Sequence, residues 1–203
     1  MFVAGTAFGI HAADELTPIT LSARVHLLQS KNEPALHTTM TEEDVKRVLG
    51  KVNKIWSQAN IHIELESIVK TIAVNDKAVE KDAAYQWVVS SVPEDCLLKG
   101  GLNIFYVKDL TDNGFYSNAK GLLFIKDTAK LMEVPGGVDE PIPRVTSHEI
   151  GHALGLQHRQ ELTNLMASKK SGFLLNEKEI ETARTTAKAK FGPKAKEKEQ
   201  EKR

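Results

Sequence analysis

The residues best suited to do chemistry in this 203-residue chain lie in one run from His148 to His158, HEIGHALGLQH. On a helix, residues four apart lie about 40° apart around the axis, so His148 and His152 project their imidazoles from one face, one turn apart. Gly155 falls where that helix should stop, because glycine can adopt the left-handed conformation that turns a chain back. The turn lets His158 approach from outside the helix. Three neutral imidazoles leave one position open on a tetrahedral metal, the arrangement of a catalytic zinc and not of a closed structural one. Zinc lowers the pKa of water in that position to about 7, so a neighbouring carboxylate can complete its deprotonation. Glu149, immediately after the first ligand, is the candidate general base. A bare HExxH arises by chance and is weak alone. The added glycine and third histidine make coincidence a poor account of this one.

The remaining reactive side chains carry less. His11, His26, His37 and His62 are scattered without ligand spacing and read as surface or ordinary packed histidines. Cys96 is the single cysteine, which excludes an intrachain disulfide and a cysteine-rich zinc site. Between acidic residues and Leu97-Leu98 it reads as a small packed residue. Asp109, Asp112 and Asn113 share one loop, where turn chemistry is the commoner reading and a calcium requirement stays open without being indicated.

The elements that must position the motif follow from periodicity. Thr20 to Leu28 alternates as a half-buried strand. Thr41 caps a helix with Asp44 in the box position. Val45, Val48, Leu49, Val52, Ile55 and Trp56 recur along it at helical spacing to about Ala59. Asn60 ends the helix, and Ile61 to Glu66 alternates strictly, with His62 on the polar side. A second helix is expected from Asp76 to Val92, stopped by Pro93. Leu102 to Val107 suits an interior strand, and Gly121 to Ile125 a further one. A loop with Pro135-Gly136-Gly137, Pro141 and Pro143 leads to the motif helix, expected over Val145 to Leu156. Asn176, with Glu179 in the box position, caps a last helix running toward Phe191.

At 203 residues and 41% hydrophobic content the chain can bury a sizeable core. Lys plus Arg equals Asp plus Glu at 27 each, so no overall basic field invites nucleic acid or an anionic membrane. No apolar stretch approaches the roughly 20 residues needed to cross a bilayer. Residues 1–13, apolar and small up to Ala12-Ala13, resemble the later part of a secretory signal, which leads to an expectation of a secreted or periplasmic protein. Residues 192–203 read as a charged, solvated tail.

HExxHxxGxxH followed by a methionine is similar to the signature of the metzincin zinc peptidases, and Asn164-Leu165-Met166 resembles their methionine turn. Within that clan, the motif and the short interval from His158 to Met166 look most like the matrixins. The resemblance covers about Thr17 to Phe191 and implies an α+β fold. A twisted mixed sheet, two helices and the motif helix would form the N-terminal lobe, with a small C-terminal lobe holding the methionine turn and final helix. It implies one catalytic zinc on His148, His152 and His158, Met166 as a hydrophobic floor that does not bind the metal, and a polypeptide substrate. It also implies that the strand from Gly121, with Leu122 and Leu123, is the edge that pairs with substrate backbone; plain core packing is the alternative. Arg159 departs from the pattern, since matrixins usually carry serine there, astacins glutamate and reprolysins aspartate. No cysteine-switch propeptide and no histidine-rich loop for a second zinc are visible, and Ser168 stands where astacins and serralysins place a zinc-binding tyrosine. The competing readings are a zinc-bound binding module that has lost turnover and a zinc hydrolase of small amides or esters. Glu149 argues against the first, because a structural site needs no carboxylate there.

Overall fold

The computed structural model describes residues 17–75 and 84–192. The signal-like segment 1–13 therefore lies outside the described residues, as do residues 76–83 of the expected second helix and the charged tail beyond Gly192. Strand β1, Ile19–Gln29, is followed by helix α1, Glu42–Trp56, and strand β2, Ile61–Ile72. Helix α2, Ala84–Ser90, precedes strands β3, Leu102–Val107, β4, Gly114–Ser117, and β5, Leu122–Lys126. Helices α3, Pro141–Ala153, and α4, Glu177–Phe191, complete the chain.

Helix α1 begins as its sequence dictates. The Thr41 side chain accepts from the Asp44 amide, the Asp44 carboxylate accepts from the Thr41 amide, and the apolar stripe from Val45 to Trp56 is buried. A 3-10 turn over Ser57–Ala59 extends it until Asn60 takes a left-handed conformation at φ 48° and releases the chain into β2. That strand runs to Ile72, past the expected end at Glu66, because it pairs with β1 along its whole length. His62 points to solvent, as the alternation requires.

The sheet order is β2-β1-β3-β5-β4, parallel throughout except for the β4–β5 hairpin. One face packs against α1, α3 and α4 through the main core, which runs from Leu21 and Val48 to Met166 and Ala187. The other face carries a smaller cluster with Phe105, Phe124, Val88 and Leu36. β3 and most of β5 are buried on both faces, which is why they read as continuous apolar runs and not as alternation. Across the second face runs a row of rings, His26, Phe105, Phe124, Phe115 and Tyr85, with successive centroids 4.1, 5.1, 4.8 and 4.5 Å apart. Cross-strand pairing puts the first four in register, and Tyr85 of α2 closes the row.

Two expectations are corrected here. The strand containing Leu122 and Leu123 is not an edge: its backbone pairs with β3 on one side and β4 on the other, while Gly121 sits in the hairpin turn. β4, a four-residue strand too short to show alternation, is the edge on this side of the sheet, and β2 is the edge on the other. The motif helix starts at Pro141 and not at Val145. Proline is tolerated in a first helical turn, where its missing N–H has no intrahelical partner to lose.

Candidate metal centre

Helix α3 delivers the first two imidazoles and the carboxylate. It is fixed to the sheet by a buried contact between Thr146 Oγ1 and the Tyr106 hydroxyl, 3.0 Å. Its start is tied to α1, where Glu140 pairs with Arg47 and, at 3.0 Å, with Lys51. Gly155, at φ 87°, then turns the chain, and the Leu156 amide reaches back to the Gly151 carbonyl at 2.9 Å.

His152 Nε2 lies 3.2 Å from His148 Nε2 and 3.1 Å from His158 Nε2. His148 Nδ1 donates to the Leu165 carbonyl at 2.8 Å, and His152 Nδ1 to the Leu156 carbonyl at 2.9 Å. A carbonyl only accepts, so both protons sit on Nδ1, and the two Nε2 atoms face each other with bare lone pairs. Burial pushes the His148 pKa down to about 3, with Arg144 adding to the effect, and burial lowers His152 as well. Neutral, oriented imidazoles crowding their lone pairs together form a donor set that a cation completes. Zinc–nitrogen bonds of about 2.0–2.1 Å in a tetrahedron put ligand atoms roughly 3.4 Å apart, close to the 3.2 and 3.1 Å of the two contacts made by His152, and all three atoms lie within 4.8 Å of one another. Among the described residues this is the one cluster of three or more metal-ligating side chains.

Glu149 is buried beside the triad and lines the same cleft of 620 Å³. Burial raises its pKa to about 8, opposed by the nearby Arg144 charge. Met166 is fully buried against α3: a Cβ on Gly151 would meet its Sδ at 2.6 Å, so only glycine leaves room for the sulfur. β4 runs along the cleft, whose wall includes Gly114, Phe115 and Tyr116.

Three participants escaped the sequence reading. Arg144, one turn before His148, is buried and holds the loop carrying Met166 through the carbonyls of Asn164, Ala167 and Gly172. Asn164 Oδ1 accepts from the Met166 amide at 2.6 Å. Glu179, read only as a capping residue, is buried and accepts from Arg159 Nε and Asn164 Nδ2, each at 2.8 Å. Arg159, the departure from the family pattern, thereby joins the chain just past His158 to α4. The one available signal was an arginine in the first turn of the motif helix, four residues before a candidate ligand.

No protein-family model matches the chain. No curated protein matches it in sequence. Solved structures do match in fold. Mirolysin in complex with compound 9 aligns at a TM-score of 0.60 and 12% identity, over 89% of this chain and 98% of that one. Archaemetzincin from Methanopyrus kandleri aligns at 0.52 and 11%, over 84% and 96%. Metalloproteinase-II from Bacteroides fragilis aligns at 0.51 and 15%, over 83% of this chain and 53% of that one. The mixed α+β architecture, five-stranded sheet and helices together, is thus the metzincin-like fold of these neighbours.

Proposed function

We propose that the chain is a zinc-dependent endopeptidase in which His148, His152 and His158 hold one catalytic zinc and Glu149 is the general base. The observation that carries this reading is the convergence of the Nε2 atoms, two of them with their Nδ1 protons committed to backbone carbonyls. The naming of two structural neighbours as a metalloproteinase and an archaemetzincin supports it. The motif and the short interval to Met166 favour a matrixin-like variant of the metzincin type, in which Arg159 takes a structural role.

When bound, zinc supplies a Lewis acid that polarises the scissile carbonyl and lowers the pKa of the attacking water to about 7. Glu149 accepts the proton from that water at a carboxylate oxygen and returns it to the departing amine nitrogen. An extended polypeptide pairs antiparallel with the free edge of β4, the role assigned from sequence to Gly121, Leu122 and Leu123. Its backbone groups then replace the partners that β4 lacks on that side. Asp112, the other acid of the cleft wall, is engaged by the Tyr85 hydroxyl and, at 3.6 Å, by Lys169.

The test is metal analysis joined to cleavage mapping on a proteome-derived peptide library. About one zinc per chain, and cuts abolished by a chelator and restored by zinc, are expected. Intact peptides throughout, with zinc fully bound, would return the chain to the binding-module reading.

A further inference from the structure

A guanidinium carries five N–H donors and no acceptor. In Arg144 the Nε donates to Gly172 O at 3.0 Å, and Nη2 reaches the carbonyls of Asn164 and Ala167. That leaves Nη1. Its neighbour is His148 Nδ1 at 3.3 Å, but Nδ1 already gives its proton to Leu165 O at 2.8 Å. The contact is therefore donor against donor, and it stays so for as long as His148 presents Nε2 to a metal.

Arg144 is 1% exposed, yet it lines the cleft that holds the histidines. Among the described residues no carboxylate pairs with it. Glu149, five positions along the helix and about 140° around its axis, is near enough for the two charges to act on each other but forms no ion pair with Arg144. A buried cation whose remaining donors have no acceptor is costly unless something completes it. The other charges of the cleft favour an anion in that place. Asp112 is taken by Lys169, Lys190 stands on the rim with Nζ on Ala153 O at 3.0 Å, and Glu149 is the one acid left to set against them and a divalent metal.

We propose that Arg144 makes the site selective for acidic polypeptides, Nη1 receiving the side-chain carboxylate of a substrate residue seated in the cleft that Arg144 lines. This deepens the peptidase reading and rests on it. A charge-assisted bond to a carboxylate is stronger than one to a carboxamide of the same shape, so Glu and Gln at that one position are told apart.

The test uses peptide hydroxamates, which anchor on the metal, with Glu or Gln placed in turn at each position flanking the hydroxamate. Binding to the zinc-loaded protein is measured alongside library cleavage. At one position Glu is expected to bind tenfold or more tighter than Gln. The gap should shrink to within twofold in Arg144→Met and persist in Arg144→Lys, with zinc content and circular dichroism checked for each. Equal affinities at every position in the wild-type protein overturn the proposal, and that comparison needs no variant to fold. Acid-selective binding without cleavage of any library peptide keeps Arg144 in its role and removes the peptidase reading. Cleavage without acid preference does the reverse.

Discussion

Glu149 and Gly151, two residues apart on α3, act in different ways, and substitution separates them. Glu149→Gln preserves shape and removes only the ability to accept a proton. Zinc content should stay near wild type while turnover falls by roughly 10² to 10⁴-fold, measured as kcat on a peptide taken from the library. Wild-type turnover in the zinc-loaded variant would remove Glu149 from the mechanism. Gly151→Ala instead drives a methyl group into Met166 Sδ. Overpacking of this kind costs about 1–3 kcal/mol, to be read from urea denaturation. Zinc affinity should weaken with it, because the Leu165 carbonyl that orients His148 is the neighbour of Met166. At this scale the sequence was informative wherever chemistry demands a fixed spacing, as in the three histidines and Gly155. Arg144 was not legible as a participant, because its partners are carbonyls 20 and more residues away that only the folded chain brings to it.

The caps of α1 and α4 were readable because a capping box is written within four residues, and both boxes form. β4 was not. Four residues between Asn113 and the Asn118 turn give too short a window for alternation to show, and all four are only half-buried. The edge role was assigned to the LLFI run instead, although such a run marks a strand covered on both faces. Helix α4 gives the sharpest prediction for an element. Glu179 holds Arg159 and Asn164 while also closing the helix's own box. Glu179→Ala strands an Asn164 amide in the interior and should destabilise the protein by about 1–3 kcal/mol. His158→Ala should lower zinc occupancy with little loss of apo stability, since that ring is exposed. Metal analysis and urea titration, applied to both variants, distinguish the two effects; unchanged zinc in His158→Ala would show the third ligand to be elsewhere.

Over the whole molecule, a buried neutral histidine contributes to the response to acid between the unfolded and folded pKa values of its ring. His26 lies inside the sheet between Thr71 and Asn103, at 2.9 and 3.1 Å, and burial pushes its pKa down to about 4. Above the unfolded value of about 6.5 neither state is protonated and stability is complete. As pH falls from about 6.5 to 4 only the unfolded chain takes up the proton, so stability drops, by about 3 kcal/mol in all. In metal-free protein, His26→Gln should flatten urea stability across that window relative to wild type. An unchanged slope would remove His26 as a source of the acid sensitivity and leave the other titrating groups, His148 and His152 among them.

Arg184 of α4 donates to the Ala59 carbonyl at 2.6 Å and the Thr17 carbonyl at 2.7 Å, so the last helix fastens the strand with which the sheet begins. This has a consequence in time. A ribosome adding about 5–20 residues per second has released β1 through β5 and two imidazoles by Ala153. His158, Met166, Glu179 and Arg184 arrive with the next thirty or so residues, within roughly 2–6 s. A newborn chain therefore passes through that interval with the strands that will carry the site already made and the residues that orient its imidazoles still to come.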